Sequence, residues 1–176
     1  MTFRIELWDR DKAQERAAEV FAVYDAVFGD VAGEASWRAS AFDRHCGREG
    51  FRLAAARADG SGLGRLAGFA YGYVGERGQW WPEQVLKALP AEITDVWVGG
   101  HFEFVELAVL AEYRRQGVGG RLHDELMQGT ENRRALLGTD DGDTPAVSLY
   151  RSRQWRKLGN LTPEVAVMGR WVGSQA

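Results

Sequence analysis

The chain has 176 residues, of which 45% are hydrophobic and 27% are charged, and its formal net charge is −3 at pH 7. This length predicts a single domain over residues 1–176 with a sizeable core, and the composition is ordinary for a soluble globular protein. The slightly acidic balance gives no support to nucleic acid as a partner, because general nucleic-acid binding depends on clustered basic residues.

Cysteine content and the distribution of apolar residues bear on localisation. Cys46 is the single cysteine, so no intrachain disulfide can form, and we expect a reducing compartment and an inert thiol. No apolar run approaches the roughly 20 residues of a membrane span, and the first residues lack a signal-peptide layout. We therefore expect a cytoplasmic protein with no membrane partner. The lysines, only Lys12, Lys87 and Lys157, are as scarce as in a bacterial protein from a GC-rich genome.

Hydrophobic periodicity predicts the elements of the N-terminal half. In chain order they are a strand over 2–7, a helix that ends at Gly29, a shorter helix over 35–45, and strands over 51–58 and 66–74. Phe3, Ile5 and Leu7 share one face of the first strand. Asp9 or Asp11 can cap the helix that follows it.

The C-terminal half is predicted in the same way. Residues 59–62 (Asp-Gly-Ser-Gly) are typical of a hairpin turn, and residues 75–100, with three of the seven tryptophans, predict one short helix over 83–88. There follow a strand over 102–109, a helix over 117–128, a strand over 135–139, a helix that starts near Thr144-Pro145, and a strand over 164–172. Strands come first and then alternate with helices, so the order predicts an α/β or α+β fold with a mixed sheet.

The most informative stretch runs from Glu106 to Leu122, where an apolar strand leads through a basic, glycine-rich turn into a helix. The first amides of a helix have no internal partner, and the helix dipole adds partial positive charge there. Gly117, Gly119 and Gly120 leave those amides open to an anion. A Walker loop would need Gly-Lys-Ser/Thr, and a dinucleotide loop belongs to the first βα unit of its domain. The stretch therefore predicts a phosphate site of another kind.

Two motifs can be compared with known families. The first is Arg114-x-x-Gly117-x-Gly119, and the second is the segment 143–155, Asp-Thr-Pro-Ala-Val-Ser-Leu-Tyr-Arg-Ser-Arg-Gln-Trp. The first resembles the loop that cradles the pyrophosphate of coenzyme A in the GNAT superfamily of acyl-CoA N-acyltransferases. The second resembles the Asn-x-x-Ala-x-x-Leu-Tyr-x-x-x-Gly-Phe signature of that family. The resemblance covers residues 102–155, and the N-terminal half agrees only in its order of elements.

The resemblance implies a fold and a cosubstrate. The fold is a GNAT-like α/β (α+β) fold, with a mixed, mostly antiparallel central sheet flanked by helices and splayed between the fourth and fifth strands. Acetyl-CoA is the implied cosubstrate, bound where the strands near Phe102 and Ala135 diverge, with its pantetheine arm along the strand backbone. The residues implied in cofactor binding are Leu107, Ala108, Val109, Arg114, Arg115, Gln116, Gly117, Val118, Gly119, Gly120, Arg121, Asp143 and Tyr150.

Tyr150 occupies the place of the family's general acid, which protonates the CoA thiolate as it leaves. A phenol of pKa about 10 lies close to an alkyl thiol, so this proton transfer is nearly thermoneutral. From the helical pattern alone, Tyr150 is an aromatic residue on the inner face of an amphipathic helix. The sequence departs from the family at Asp143, where the family often has asparagine, and at Gln154-Trp155, where it has Gly-Phe.

A primary amine must lose a proton before it attacks, and this requires a carboxylate, a histidine or a water wire that ends on one. Glu103 and Glu106 are the candidate bases, both on the strand before the loop. Glu103 ranks slightly above Glu106 because its spacing fits a placement seen in the family. Simple pleating puts the two side chains on opposite faces unless a bulge intervenes. A solvent-facing or ion-paired carboxylate is the structural alternative for each.

These motifs predict an N-acetyltransferase that moves the acetyl group of acetyl-CoA directly to a primary amine of a small molecule or a peptide. One alternative is a non-catalytic acyl-CoA-binding or sensor module. A nucleotide-phosphate binder is disfavoured by the missing Walker lysine. The tryptophan-bearing residues 76–98 have three readings: a wall of the acceptor pocket, a packing plug, or a homodimer contact.

Other features are interpreted structurally. Residues 60–64 (Gly-Ser-Gly-Leu-Gly) precede a strand, so they predict a hairpin turn and not a second phosphate loop. Residues 140–143 (Asp-Asp-Gly-Asp) lack the spacing of a calcium loop. His45, His101 and His123 show no metal-ligand spacing, so no metal is expected. Of these, His101 is a distant candidate base and His123 is expected to be exposed.

Overall fold

The computed structural model describes residues 2–58 and 64–173, and within them the chain forms seven β-strands and eight α-helices. The strands are β1 (Phe3–Trp8), β2 (Arg52–Ala58), β3 (Leu66–Gly75), β4 (His101–Val109), β5 (Arg134–Asp140), β6 (Arg156–Thr162) and β7 (Val165–Trp171). The helices are α1 (Arg10–Glu15), α2 (Ala17–Val27), α3 (Glu34–Trp37), α4 (Asp43–Cys46), α5 (Trp80–Ala88), α6 (Ala91–Trp97), α7 (Val118–Met127) and α8 (Pro145–Ser152). A π-helical turn (Arg38–Phe42) joins α3 to α4, and a 3-10 turn (Ala111–Tyr113) follows β4.

The strands form one mixed sheet in the order β1-β2-β3-β4-β5-β7-β6. β1 and β2, β2 and β3, β5 and β7, and β6 and β7 pair in antiparallel fashion, whereas β4 and β5 are parallel. The parallel register joins Phe102 to Ala135 and Glu103 to Leu136, while β7 pairs with all seven residues of β5. The mixed, mostly antiparallel sheet with its parallel β4–β5 pair confirms the predicted fold class.

The chain divides into two compact units. The first contains the residues up to Tyr73 together with Glu106–Gln128, and the second contains Val74–Val105 and the residues from Gly129 onward. β3 and β4 therefore contribute residues to both units. The single domain over 1–176 stays a prediction. No helix in the described part of the chain is long and apolar enough to cross a membrane.

In the first unit, the helix predicted up to Gly29 is two helices. Asp9 accepts a hydrogen bond from the Lys12 amide at 2.9 Å and so caps α1, as one of the two predicted caps. The chain leaves helical geometry at Arg16, where φ is −101° and ψ is 16°, and α2 begins at the next residue. Gly29 follows α2 with a φ of +60°, the left-handed conformation expected after a helix end.

In the first unit, the second predicted helix is present, but one apolar residue of β1 is exposed. The helix predicted over 35–45 is present as α3, the π-helical turn and α4, and two of its aromatic residues, Trp37 and Phe42, are buried and stacked 4.2 Å apart. Of the residues that share one face of β1, Phe3 is buried, whereas Leu7 is 43% exposed. β1 is the edge strand, and Trp8, on its opposite face, is buried there instead.

The second unit contains two elements that sequence periodicity does not predict. The chain over 75–100 forms α5 and α6, not one helix, and β6 is an additional strand. β6 lies at the edge of the sheet with most of its residues half-buried, so its sequence lacks a clear alternation. The hydrophobic core of this unit contains Val85, Leu89, Trp97, Val98, Leu136 and Val167, with Trp81, Leu86, Ile93, Leu158 and Leu161 packed against it.

Glycines permit close approach in both units. In the first unit, a Cβ at Gly68 would lie 2.6 Å from the carbonyl oxygen of Ala108. In the second, a Cβ at Gly169 would lie 2.8 Å from the ring of Trp97 and 2.7 Å from Leu158. Separations this short are repulsive, so the packing of β4 and of the buried tryptophan depends on the absence of these side chains.

Candidate active site

The start of α7 is open to an anion. Gly117 is the N-cap, with a left-handed φ of +79° and no side-chain hydrogen bond, and a Cβ there would meet nothing within 4 Å. The amides of the first turn, from Val118 to Gly120, have no partner four residues earlier in the helix. Exposed Arg115 lies two residues before the cap, also at a positive φ of 60°. Backbone donors and a basic side chain therefore surround an accessible helix end.

Several side chains of this loop make internal contacts. Arg114 donates from Nε to the carbonyl of Val109 at 2.9 Å, and Gln116 donates to the carbonyl of Glu112 at 3.0 Å. Arg121 donates from Nη2 to the carbonyl of Phe3 at 3.0 Å. These bonds fix the loop against β4 and β1. The remaining N–H groups of the exposed arginines keep their capacity to bind an anion.

Residues 107–109 of β4, which the family resemblance implies in binding pantetheine, already make contacts with other parts of the protein. Leu107 and Val109 are half-buried and Ala108 is buried. The carbonyl of Ala108 faces Gly68, and the amide of Leu110 donates to the carbonyl of Ala67 at 2.9 Å. The Val109 carbonyl, which already accepts from an arginine, has a second lone pair for a further donor.

Glu106, in the first unit, is half-buried and chemically distinctive. Burial, with a smaller contribution from the negative charge of Asp30, raises the pKa of Glu106 to about 7. No basic side chain in the described part of the chain forms an ion pair with it. The solvent-facing or ion-paired alternative therefore does not describe Glu106. A carboxylate that titrates near neutral pH is suited to general base chemistry.

Glu103 belongs to the second unit and has a different environment. It is 5% exposed, and its Oε2 lies 3.9 Å from Nε2 of fully buried His101. The amide of Gly99 donates to Nδ1 of that histidine at 3.1 Å, so the neutral ring carries its proton on Nε2. Burial, and then the charge of Arg134, lower the pKa of His101 to about 3. A side chain at Gly75 would collide with this pair.

Tyr150, on α8 in the second unit, is 7% exposed. Its ring meets Phe104 and Trp155 edge to face, with centroids 5.9 and 6.0 Å away. The helix starts at Pro145, as the sequence predicts, and Thr144 caps it by accepting from the Val147 amide at 3.2 Å. Aromatic packing and a capped helix therefore fix the phenol, and its general-acid role stays a prediction.

The two departures from the family signature have identifiable geometries. Asp143 is largely exposed and accepts a hydrogen bond from Arg151 Nη1 at 2.9 Å. Gln154, at the position of the family's glycine, adopts a φ of +66°. This is the left-handed conformation that glycine favours, so the turn before Trp155 is kept and the glutamine is strained.

The features set aside in the sequence have the following outcomes. Asp141 binds Lys157 at 2.7 Å and Asn160 at 2.6 Å, and the described residues contain no group of three metal ligands. Cys46 is buried, and burial raises its pKa to about 12. The expected exposure of His123 is wrong: the ring is fully buried on the inner side of α7, with Nδ1 2.9 Å from Asp124 Oδ1. The glycine run over 60–63 lies outside the described residues.

The tryptophans of residues 76–98 divide into two groups. Trp97 is 3% exposed in the core of the second unit, and Trp81 packs against that core and against Gly138 of β5. Trp80 is 73% exposed. Packing therefore accounts for two of the three tryptophans. An acceptor wall or a dimer contact stays a prediction for the third.

Sequence reasoning missed the surroundings of Glu106. Asp30 affects its pKa, and the charge of Glu106 in turn contributes to raising the pKa values of Tyr24 and Tyr71. These residues come from α2, the loop after it, and β3, so no local motif connects them. The available signal was an acidic residue beside Gly29, at a helix end where a basic residue is favoured.

Comparisons with known proteins show the family to which this chain belongs. The profile of the acetyltransferase (GNAT) family matches residues 17–154. The GCN5-like protein acetyltransferase Rv2170 of Mycobacterium tuberculosis is 29% identical, over 85% of this chain and 84% of that protein.

The fold is similar to those of solved structures. One is the ribosomal-protein-S18-alanine N-acetyltransferase of Escherichia coli, with a TM-score of 0.63, 13% identity, and coverage of 99% of this chain and 97% of that one. Another is the PaiA N-acetyltransferase of Thermoplasma acidophilum in complex with coenzyme A, with a TM-score of 0.60, 12% identity, and coverage of 97% and 99%. At these identities the likeness shows the fold.

Gly119→Asp tests the helix start. An aspartate there places a negative charge and a side chain among the first amides of α7, so we expect CoA affinity to fall at least about tenfold while the protein stays folded. Isothermal titration calorimetry with CoA, together with thermal unfolding, measures both effects. Gly47→Asp is the matched control, because Gly47 is exposed and has a φ of −79°. Equal CoA affinity in both variants would contradict the phosphate-loop assignment.

Gln154→Gly tests the strain in the turn after α8. Glycine adopts the left-handed conformation without the Cβ clash, so we expect the free energy of unfolding to rise by about 1 kcal/mol. Urea denaturation at constant m-value measures the change. Gln154→Ala removes the same exposed side chain but keeps the Cβ, and it should give no gain. A gain of equal size in both variants would contradict a backbone origin.

Proposed function

Because the chain belongs to the GNAT family of acetyltransferases, whose members use acetyl-CoA, we propose that it acetylates a primary amine of a small molecule or a peptide. The observation that carries the proposal is the half-buried carboxylate of Glu106, whose pKa of about 7 suits it to take a proton from an amine. The chain also presents the open amides at the start of α7. Together they supply a base and an anion site.

The start of α7 fits the phosphates of the cosubstrate. Gly117 leaves the space before the first amides empty, and the exposed arginines next to it provide positive charge. Acetyl-CoA, when bound, supplies a thioester that is already activated toward amines. The protein then needs chiefly to hold the acceptor and to move two protons.

Glu106 is the proposed base, in preference to Glu103. Glu103 is 5% exposed beside neutral, buried His101, whereas Glu106 is half-buried and faces no protein cation among the described residues. An unpaired, partly accessible carboxylate can receive the proton that the acceptor ammonium must lose before its neutral amine attacks. The ranking suggested by family spacing is therefore reversed in this proposal.

Tyr150 is the proposed general acid. Its ring packs edge to face against Phe104 and Trp155. These contacts restrict rotation of the side chain and so fix the position of the hydroxyl oxygen. The phenol proton passes from Oη to the leaving thiolate sulfur, whose basicity in solution is close to that of a phenolate. The reaction then leaves Tyr150 as a phenolate, and the second proton that the nitrogen loses after attack returns to it through solvent.

The state of the single cysteine supports direct transfer to the amine. Cys46 is 1% exposed, and burial raises its pKa to about 12, so its thiolate is not populated near neutral pH. A covalent acetyl-cysteine intermediate would need that thiolate as nucleophile. The proposal therefore has the amine attack the thioester itself.

Glu106→Gln tests the base. The pKa of Glu106 is raised to about 7, so the carboxyl is protonated and inactive at lower pH. We expect kcat/KM of the wild type to rise with pH and to level off above about 7, as the carboxylate forms. Glu106→Gln should lower kcat by about 10²-fold or more and remove this acidic limb for the same amine.

The matched variant for that experiment is Glu103→Gln. Thiol release from acetyl-CoA, measured between pH 5.5 and 9 (about the range in which the wild type is expected to titrate), gives the profiles of both variants. We expect the acidic limb of the pH profile of kcat/KM to be retained in Glu103→Gln and lost in Glu106→Gln. The reverse pattern would assign the base to Glu103.

Tyr150→Phe tests the acid. Phenylalanine keeps the ring between Phe104 and Trp155 and removes only the proton donor. We expect turnover to fall by about 10²-fold while acetyl-CoA affinity changes little, because the proton is needed in the transition state. Steady-state thiol release and calorimetry separate the two quantities. Unchanged turnover would exclude Tyr150 as the acid.

A further inference from the structure

The first unit contains a group of aromatic and acidic side chains beside the proposed base. We name it the acidic aromatic cluster; its members are Tyr24, Phe28, Asp30 and Trp37, together with Glu106, which interacts electrostatically with Asp30 and Tyr24. The Tyr24 hydroxyl donates to Asp30 Oδ1 at 2.9 Å. The Tyr24 ring lies 5.0 Å from that of Phe28 and 5.6 Å from that of Trp37. Phe28 is 42% exposed and Asp30 is exposed, so ligands can reach both.

The cluster carries negative charge that the protein does not neutralise. Within the described residues, neither Asp30 nor Glu106 forms an ion pair with a basic side chain. Glu19, elsewhere in the same unit, pairs with Arg57 at 2.8 Å and Arg16 at 3.0 Å. Two neighbouring carboxylates without a counter-ion attract a cation from solution.

The backbone adds to this negative potential. Asp30 lies just past the C-terminus of α2, where the helix dipole places partial negative charge, and the last turn of α2 has no basic residue. Gly29 and Gly33, with φ values of +60° and +128°, turn the chain on either side of it. A carboxylate at a helix C-terminus is unfavourable for stability. Such a residue is explained if it binds a positively charged ligand.

The chemistry of the cluster favours an organic cation over a metal ion. The described part of the chain contains no group of three side chains that could hold a metal. Asp30 keeps acceptor capacity on its carboxylate beyond the bond from Tyr24. The aromatic faces of Tyr24 and exposed Phe28 can also contact an ammonium or guanidinium group through cation–π interactions.

We propose that the acceptor carries a second cationic group besides the amine that reacts, and that Asp30 binds this group against the rings of Tyr24 and Phe28. Glu106 receives the proton of the reacting amine, so this inference rests on the proposed function. The substrate class is a diamine or a peptide in which a cationic side chain neighbours the reacting amine. Both kinds of acceptor carry two positive charges on one molecule.

The test compares matched acceptors. Thiol release from acetyl-CoA is measured with cadaverine and with n-pentylamine, which has the same carbon chain and one amine. A capped dipeptide of lysine and arginine is compared with the dipeptide that has citrulline in place of arginine. We expect kcat/KM to favour the doubly charged member at least about tenfold in one pair, and that pair identifies the source of the amine.

Asp30→Asn is the decisive variant, because asparagine keeps an acceptor for the Tyr24 hydroxyl and removes only the charge. The preference for the doubly charged acceptor should fall at least about fivefold. Asp25→Asn, an exposed residue of α2 outside the cluster, should leave the preference unchanged. Equal use of both members of each pair, or a preference that survives in Asp30→Asn, overturns the inference while the acetyltransferase proposal stands. Failure to acetylate any of the four acceptors counts against the proposed function itself.

Discussion

The constraint on which the account depends is the set of amides at the start of α7 that no helical carbonyl can satisfy. The left-handed conformation of Gly117 ends the preceding loop without a side chain in front of those amides. The bonds from Arg114 to the β4 backbone and from Arg121 to the β1 backbone hold this helix end in place. An anion is the natural partner of such a site, and we propose that the phosphates of acetyl-CoA, the cosubstrate of the family, bind there.

The second physical feature is an acidic side chain, Glu106, that has no counter-ion among the described residues. Most carboxylates that form ion pairs here are exposed, and such pairs contribute little to stability. Glu106 is different, because burial and Asp30 together raise its pKa to about 7. Leaving it unpaired costs stability and provides a base near neutral pH. The same uncompensated charge accounts for both the proposed proton transfer and the inferred cationic acceptor.

Local sequence signals predicted the parts of the molecule that local interactions determine. The glycine-rich turn into α7 and the start of α8 at Pro145 are encoded by neighbouring residues, and both are present. Edge strand β6 and short helix α6 were missed, because their burial depends on packing in the second unit and not on periodicity. The effect of Asp30 on Glu106 was also missed, because residues distant in sequence produce it.

Acetyl transfer from acetyl-CoA to an amine is tested by incubating the protein with both compounds. Free CoA thiol and acetylated amine are then quantified in the same sample. The account predicts that the two products form in equal amounts, at a rate that rises with pH up to about 7 and then levels off. Saturable binding of acetyl-CoA without formation of either product, across monoamines, diamines and peptides, would contradict it. The chain would then be an acyl-CoA-binding module that has the fold and the helix end but no transferase chemistry.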